Sequence, residues 1–205
     1  MIYIYENKEE LNDFLLDRLY NKLPVSRKER AASFKFRKGK ISCIIGYLLF
    51  LYGYRNQTGY SDLPDFLHHE NNKPYIGGHT DFYFNISHCN SAICCICGNN
   101  EVGIDIENVR KISENIINKI CSPSEILQIT ASPKPDAKFI EFWTIKEAIT
   151  KLDGTGIFQD VRKINASGTF CQTIQLDAST FLSYSTTGTE LHEIKYITIE
   201  ELLAL

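Results

Sequence analysis

Residues 82–107 read FYFNISHCNSAICCICGNNEVGIDIE, three short runs rich in aromatic and β-branched side chains with turn-forming residues between them. The runs are Phe82 to Ser87, Ala92 to Cys97 and Val102 to Glu107. Gly98-Asn99-Asn100, all tolerant of positive φ, joins the last two, so the stretch predicts an antiparallel meander. Toward the N-terminus, residues 2 to 5 alternate as a strand. Glu9 to Tyr20 follows with Leu11, Phe14, Leu15 and Leu19 at helical spacing. Ser26 to Glu29 fits a capping box opening a helix that carries Arg27, Lys28 and Arg30. From Ile41 the apolar residues Ile44, Ile45, Leu48, Leu49 and Tyr52 form the stripe of a long core helix, ending near Gly53 or Gly59.

Toward the C-terminus, Ile112 to Cys121 is helical text. Ser122-Pro123-Ser124-Glu125 combines a serine cap, a first-turn proline and a glutamate three residues on, and opens another helix. Asp136 to Leu152 holds Phe139, Phe142, Trp143, Ile145 and Ile149 and is stopped by Asp153-Gly154. From Val161 onward the chain reads as strands with turns at Ser167-Gly168 and Thr187-Gly188. The pattern is that of a mixed α/β protein.

A chain of 205 residues can bury one sizeable core or two small halves packed together. We expect one compact unit with a soft boundary between residues 1–107 and 108–205. A formal charge of −3 argues against a general binder of nucleic acid or of a membrane surface. The cysteines number seven, an odd count, and Cys94, Cys95 and Cys97 crowd one apolar run, as buried thiols in a reducing compartment would. MIYIYENKEE lacks the basic start and long apolar stretch of a signal peptide, and no later run is apolar for long enough to span a bilayer. We therefore expect a cytoplasmic protein.

Three short motifs could carry chemistry. In Val102-Gly103-Ile104-Asp105-Ile106-Glu107 the period of a strand puts Asp105 and Glu107 on one face. At an effective dielectric near 20, two such charges about 4 Å apart repel by roughly 4 kcal/mol, so close approach requires a cation or a shared proton. In Phe142 to Lys151 the helical period puts Glu147 and Lys151 on one face, with Lys146 beside it. Asn85-Ile86-Ser87-His88 runs a strand into a turn that could present a hydroxyl and an imidazole to a phosphate. Each motif alone also reads as an ordinary surface pair, a solvated strand end or a structural histidine. Their joint occurrence, in this order, is more specific.

The series resembles the signature of surfactin-type 4'-phosphopantetheinyl transferases, which runs roughly N-[LI]-S-H-S, G-[IV]-D-[IVL]-E and W-[ST]-x-K-E-[AS]-x-x-K. The likeness covers about residues 24 to 157 and fades beyond Phe158. It implies an α/β fold of two similar halves related by a pseudo-twofold axis, with largely antiparallel sheets and coenzyme A in the cleft between them. It further implies a metal site at Asp105, Glu107 and Glu147 holding Mg²⁺ against the pyrophosphate of coenzyme A, with Lys151, Ser87 and His88 contacting that pyrophosphate.

By the same resemblance Arg27, Arg30 and Lys40 fall where the family binds the 3'-phosphate, and Asn72-Lys73-Pro74-Tyr75 is similar to the segment that lies along the adenine. Glu125 is similar to a further glutamate of the family. This chain departs from the pattern at Cys89, where a serine is common, and at Asn72, where a glycine is. The arginine of the long helix has no counterpart beyond Lys40 or the Ser42 hydroxyl. The implied reaction is transfer of phosphopantetheine from coenzyme A to a serine of an apo acyl or peptidyl carrier protein, with Glu147 or a metal-bound water as base and Lys151 meeting charge on the leaving group. A mixed apolar and basic docking patch is expected between Ile112 and Lys138, with Lys119 and Lys134. An internal pseudo-dimer favours a monomer. The competing reading is a coenzyme A or carrier-protein binding module without turnover. A metal-dependent nuclease is disfavoured by the acidic charge and by the lack of an E-x-K spacing after Asp105.

Overall fold

The computed structural model describes residues 1–7, 11–78, 81–154, 160–164, 169–189 and 191–205. The expected helix start at Glu9 and the turn at Ser167-Gly168 lie outside them. The chain opens with strand β1 (Ile2–Glu6), helix α1 (Asp13–Asn21), helix α2 (Val25–Ala32) and the long helix α3 (Arg37–Thr58), which ends at Gly59 with φ 75°. Short strands β2 (Leu67–His68) and β3 (Pro74–Tyr75) form a two-stranded ribbon. The strands of the opening stretch follow as β4 (Tyr83–His88), β5 (Ala92–Gly98) and β6 (Val102–Asn108).

Helices α4 (Glu114–Ile120), α5 (Pro123–Ala131) and α6 (Pro135–Asp153) come next, α6 stopping at Gly154 with φ 66°. A short 3-10 turn at Val161–Lys163 leads to β7 (Phe170–Asp177), β8 (Thr180–Thr186), β9 (Ile194–Tyr196) and helix α7 (Ile199–Ala204). This is a mixed α/β architecture with mostly antiparallel sheets.

The meander is not formed as expected. Strand β5 has β4 on one edge (Ser87 opposite Cys94) and β1 on the other (Ile2 opposite Ile96), so neither edge is left for β6. Strand β6 instead enters a second sheet, pairing with β8 from Val102 opposite Thr186 to Asn108 opposite Thr180, with β7 beyond. Strand β9, from the far end of the chain, adds to β1 in parallel, Ile2 opposite Ile194. The two sheets therefore draw strands from both halves of the sequence.

Period-two alternation distributes the core. On β1, Tyr3 and Tyr5 pack with α3, while Ile2 and Ile4 pack with Ile104, Ile106, Leu182 and Tyr184 of the second sheet. The side chain of Asn85 joins the sheets where no ladder does, its Oδ1 accepting the Ile104 amide at 3.1 Å. Cluster Ile112, Cys121, Ile129, Phe139, Ile140 and Phe181 holds α5 and α6 beside the second sheet. All seven cysteines are free. No helix among the described residues is long and apolar enough to cross a membrane.

Two local expectations are corrected. Helix α2 starts at Val25 with Pro24 as its cap, one turn position too early for Ser26 to cap it, and the Ser26 hydroxyl donates to Asp65 instead. Helix α1 starts at Asp13 with the Asn12 side chain accepting the Leu15 amide. Leu16 and Leu19 are buried, whereas Phe14 is 70% exposed. The capping box at Ser122 and Glu125 forms as read.

Helix α6 lies directly on β6. A Cβ at Gly103 would sit 2.1 Å from the Ala148 carbonyl oxygen and 2.4 Å from the Leu152 amide nitrogen, both backbone atoms unable to swing aside. Gly103→Ala is expected to destabilise the fold by about 3 kcal/mol, the upper end for overpacking, whereas Gly46→Ala, which meets only an Ile86 methyl at 3.0 Å, should lose less. Urea midpoints of the two variants check this, and an unchanged midpoint for Gly103→Ala would contradict it.

Candidate active site

Strand β6 presents Asp105 and Glu107 on the face opposite Ile104 and Ile106, toward α6. Glu147 and Lys151 are one helical turn apart on α6, the same turn whose backbone seats on Gly103. Lys151 reaches across to β6 and β4: its ammonium donates to Asp105 Oδ1 at 2.7 Å, to Ser87 Oγ at 3.0 Å and to the Ile104 carbonyl at 3.1 Å. The Ser87 hydroxyl also donates to Asp105 Oδ1, at 2.8 Å. Asp105 is buried, and its other oxygen, Oδ2, has no hydrogen-bond partner among the described residues.

Burial pushes the Glu147 carboxyl above its usual range; the Lys151 ammonium opposes this, and the Asp105 and Glu107 charges reinforce it. Glu107 is held by Arg110, whose Nη1 donates to Oε2 at 2.8 Å. The His88 imidazolium is pushed down by partial desolvation, with the Lys151 and Lys38 ammoniums adding to the effect. Imidazole is therefore the favoured form at neutral pH, offering one donor and one acceptor.

Among the described residues, no three carboxylate, imidazole or thiol groups stand close enough together to hold a metal ion as they are. The donors nevertheless suit a hard divalent cation. Asp105 Oδ2 is a buried acceptor without a donor, and magnesium takes one or two carboxylates and completes its shell with waters and substrate phosphate oxygens.

A cavity of about 650 Å³ opens beside this cluster, with His88 on its wall. Arg27 and Arg30 from α2, Ser42 and Cys43 from α3, and Asn72 and Pro74 line it. The Arg27 guanidinium lies 4.7 Å from the Phe66 ring centroid and donates to Cys43 Sγ at 3.3 Å, while its Nε is buried without a partner among the described residues. Arg30 lies 5.3 Å from the centroid of Phe34. Guanidinium groups stacked on rings and not held by carboxylates are suited to phosphate.

Two of the expected basic residues lie elsewhere. Lys40 turns to the Tyr20 ring, 5.1 Å from its centroid. Lys73 donates to the Leu152 carbonyl at 2.6 Å and to Glu101 at 3.1 Å, and lines a second cavity of about 770 Å³, which shares Pro74 with the first. Sequence reasoning missed the aromatic wall of Phe34, Tyr47 and Phe66 and the Cys43 thiol. It also missed the role of Lys146. This side chain is 3% exposed, and its ammonium bonds Glu125 Oε1 at 3.1 Å and the carbonyls of Val161 and Ile164 at 2.8 and 3.3 Å. Only a buried helix face for Lys146, in a run as apolar as Phe139 to Ile149, could have signalled it.

Residues 101–197 of the chain match the family model described as the 4'-phosphopantetheinyl transferase superfamily. The chain is 36% identical over 95 residues to the 4'-phosphopantetheinyl transferase gsp of Aneurinibacillus migulanus, a stretch covering 45% of this chain and 39% of the relative. It is 33% identical over 90 residues to the 4'-phosphopantetheinyl transferase Sfp of Bacillus subtilis strain 168, covering 43% and 40%. A longer but weaker likeness, 26% over 175 residues and 78% of this chain, joins it to the L-aminoadipate-semialdehyde dehydrogenase-phosphopantetheinyl transferase of Candida glabrata. The chain thus spans about two fifths of the length of the first two relatives.

Lys146→Met breaks a buried ion pair and leaves Glu125 without its partner, which should cost about 3 kcal/mol. Adding Glu125→Gln is expected to restore part of the loss. Urea unfolding of the single and double variants measures both, and full stability of Lys146→Met would contradict the structural role of this ammonium.

Proposed function

We propose that this chain transfers 4'-phosphopantetheine from coenzyme A to a serine hydroxyl of an apo acyl or peptidyl carrier protein, releasing adenosine 3',5'-bisphosphate. One observation carries the reading: Asp105, with a buried oxygen lacking any donor, stands with Glu147 and Lys151 next to a cavity walled by two stacked guanidinium groups. In this reading Arg27 and Arg30 take the 3'-phosphate, and Asn72 and Pro74 flank the nucleoside. Ser87, His88 and Lys151 meet the pyrophosphate.

Asp105, Glu107 and Glu147 would hold Mg²⁺, which when bound neutralises the pyrophosphate charge. The carrier serine attacks the β-phosphorus, and the bond to the leaving phosphate oxygen breaks. Glu147, whose carboxyl burial holds above the usual range, is the base the chain itself offers for the serine proton. The ammonium of Lys151 stabilises the charge that grows on the departing bisphosphate.

The carrier partner fits the face of α4 and α5, where Ile116 is 44% and Leu127 72% exposed beside the exposed Lys119. Such a face is apolar and basic, suited to an acidic helix. Lys138 is already bonded to Glu141 at 3.0 Å and lies over Phe142, so Lys119 and Lys134 carry the charge. The pseudo-repeats at residues 1–107 and 108–205 belong to the same reading, supported by one long helix against each sheet, α3 and α6. So do a monomeric state and a cytoplasmic location, the latter in keeping with seven free thiols.

Incubating the protein with an apo carrier, coenzyme A and Mg²⁺ and weighing the carrier by intact-mass spectrometry tests the reaction. A gain of one phosphopantetheine is expected, absent with EDTA and reduced at least a hundredfold in rate by Glu147→Gln. Coenzyme A binding with no mass gain on any carrier type would replace the enzyme by a binding module. Reversing the charges of Lys119 and Lys134 together to glutamate should raise the KM for the carrier several-fold and leave that for coenzyme A unchanged. Equal carrier KM values in variant and parent would remove the α4–α5 face from the proposal.

A further inference from the structure

Asp105 carries two demands that a single carboxylate cannot meet at once. Its Oδ1 is occupied by the Lys151 ammonium at 2.7 Å and the Ser87 hydroxyl at 2.8 Å, while Oδ2 is buried with no partner. Lys151 also takes the Ile104 carbonyl and the Ser87 oxygen, so every donor of its ammonium is directed at β4 and β6 rather than at the nucleotide cavity. The ammonium therefore stands where a positive charge is needed by the acidic face of β6. A divalent cation on Asp105 would meet it at contact distance, with strong repulsion in a poorly solvated setting.

We propose that Lys151 is an internal counter-ion that holds the cation's place on Asp105, and that its transfer to a pyrophosphate-bearing ligand makes divalent-cation binding conditional on that ligand. The inference rests on the reading of Asp105, Glu107 and Glu147 as cation ligands. Lys151 is built for such a transfer: its side chain is 27% exposed, against 7% for Asp105, so it has a route outward. Its flexible four-carbon stem can redirect three donors without disturbing the helix. Phosphate oxygens supply the acceptors it gives up on β6, and Asp105 Oδ1 is then free to join Oδ2 as an oxygen donor for the incoming ion. Anion and cation each remove the obstacle to the other, so their affinities are coupled by the same factor in both directions.

Mn²⁺ binding to the unloaded protein, followed by electron paramagnetic resonance of the free ion, tests this without any turnover. The parent protein is expected to bind Mn²⁺ weakly alone and at least tenfold tighter, about 1.4 kcal/mol, with coenzyme A present, after the Mn²⁺–coenzyme A association in buffer is subtracted. Lys151→Met and Lys151→Gln should both bind Mn²⁺ alone at least tenfold tighter than the parent, and coenzyme A should add less than threefold. The glutamine variant keeps a neutral donor for Asp105 and serves if the methionine variant does not fold, as judged by circular dichroism.

If folded Lys151 variants bind Mn²⁺ alone no tighter than the parent, the counter-ion role is overturned. Tight Mn²⁺ binding that survives Asp105→Asn overturns the cation-ligand reading and this inference with it. Failure of phosphopantetheine transfer alongside the expected Mn²⁺ results would remove the transferase reading and leave the exchange standing.

Discussion

Helix α6 and strand β6 approach so closely at Gly103 that no side chain fits between their backbones, and the geometry of the acidic site follows from that contact. Once the Ala148 to Leu152 turn is seated on Gly103, Glu147 and Lys151 have only one direction in which to face, over Asp105. A glycine two residues before the aspartate therefore sets the distance at which the two elements exchange charge. The Asn85 amide extends the arrangement to β4 by holding the Ile104 backbone, which brings Ser87 against Asp105.

Helix α6 carries bonded ammonium groups on two faces, Lys146 buried and Lys151 half-buried. Lys151 serves β6, while Lys146, five residues from it along the helix, ties α5 and the Val161–Ile164 segment to the opposite side through Glu125 and two carbonyls. Because Lys146 and Glu147 are sequence neighbours that diverge by about 100° around a helix, the structural ion pair fixes the rotation of α6 about its own axis. That rotation determines how Glu147 meets the acidic strand. Structural and chemical charges are thus separated by helical geometry rather than by distance along the chain.

The elements of this fold were legible wherever local pattern decides them: β4, β5 and β6 from alternation, α5 from its serine and glutamate cap, α6 from its apolar stripe and Gly154. Pairing was not legible, because which strand neighbours β5 depends on β1, some ninety residues away, having already taken the edge. The site divided in the same way. Period alone puts Asp105 and Glu107 on one strand face and Glu147 and Lys151 on one helix face, whereas the grouping of the two pairs and the reading of Arg27 and Arg30 as phosphate ligands rest on the resemblance. The surroundings of Lys40 and Lys73 were not legible, since long flexible ammonium groups choose among partners such as Tyr20, Glu101 and the Leu152 carbonyl that only the tertiary fold brings near. The ring of Phe34 beside Arg30 depends on Gly39, where a Cβ would sit 2.5 Å from that ring.

The exchange of strands between the two sheets governs how the polypeptide can acquire its shape. Strand β1 precedes every other described strand, yet its second edge is covered only by Ile194 to Tyr196, far along the chain. Strand β6 likewise waits for β8. Contacts of such long sequence separation carry a large loop-closure entropy and slow the search for the native state. A nascent chain therefore exposes the free edge of an apolar strand, an invitation to intermolecular pairing, until β9 has been made, and neither sheet is completed as an early, separate unit.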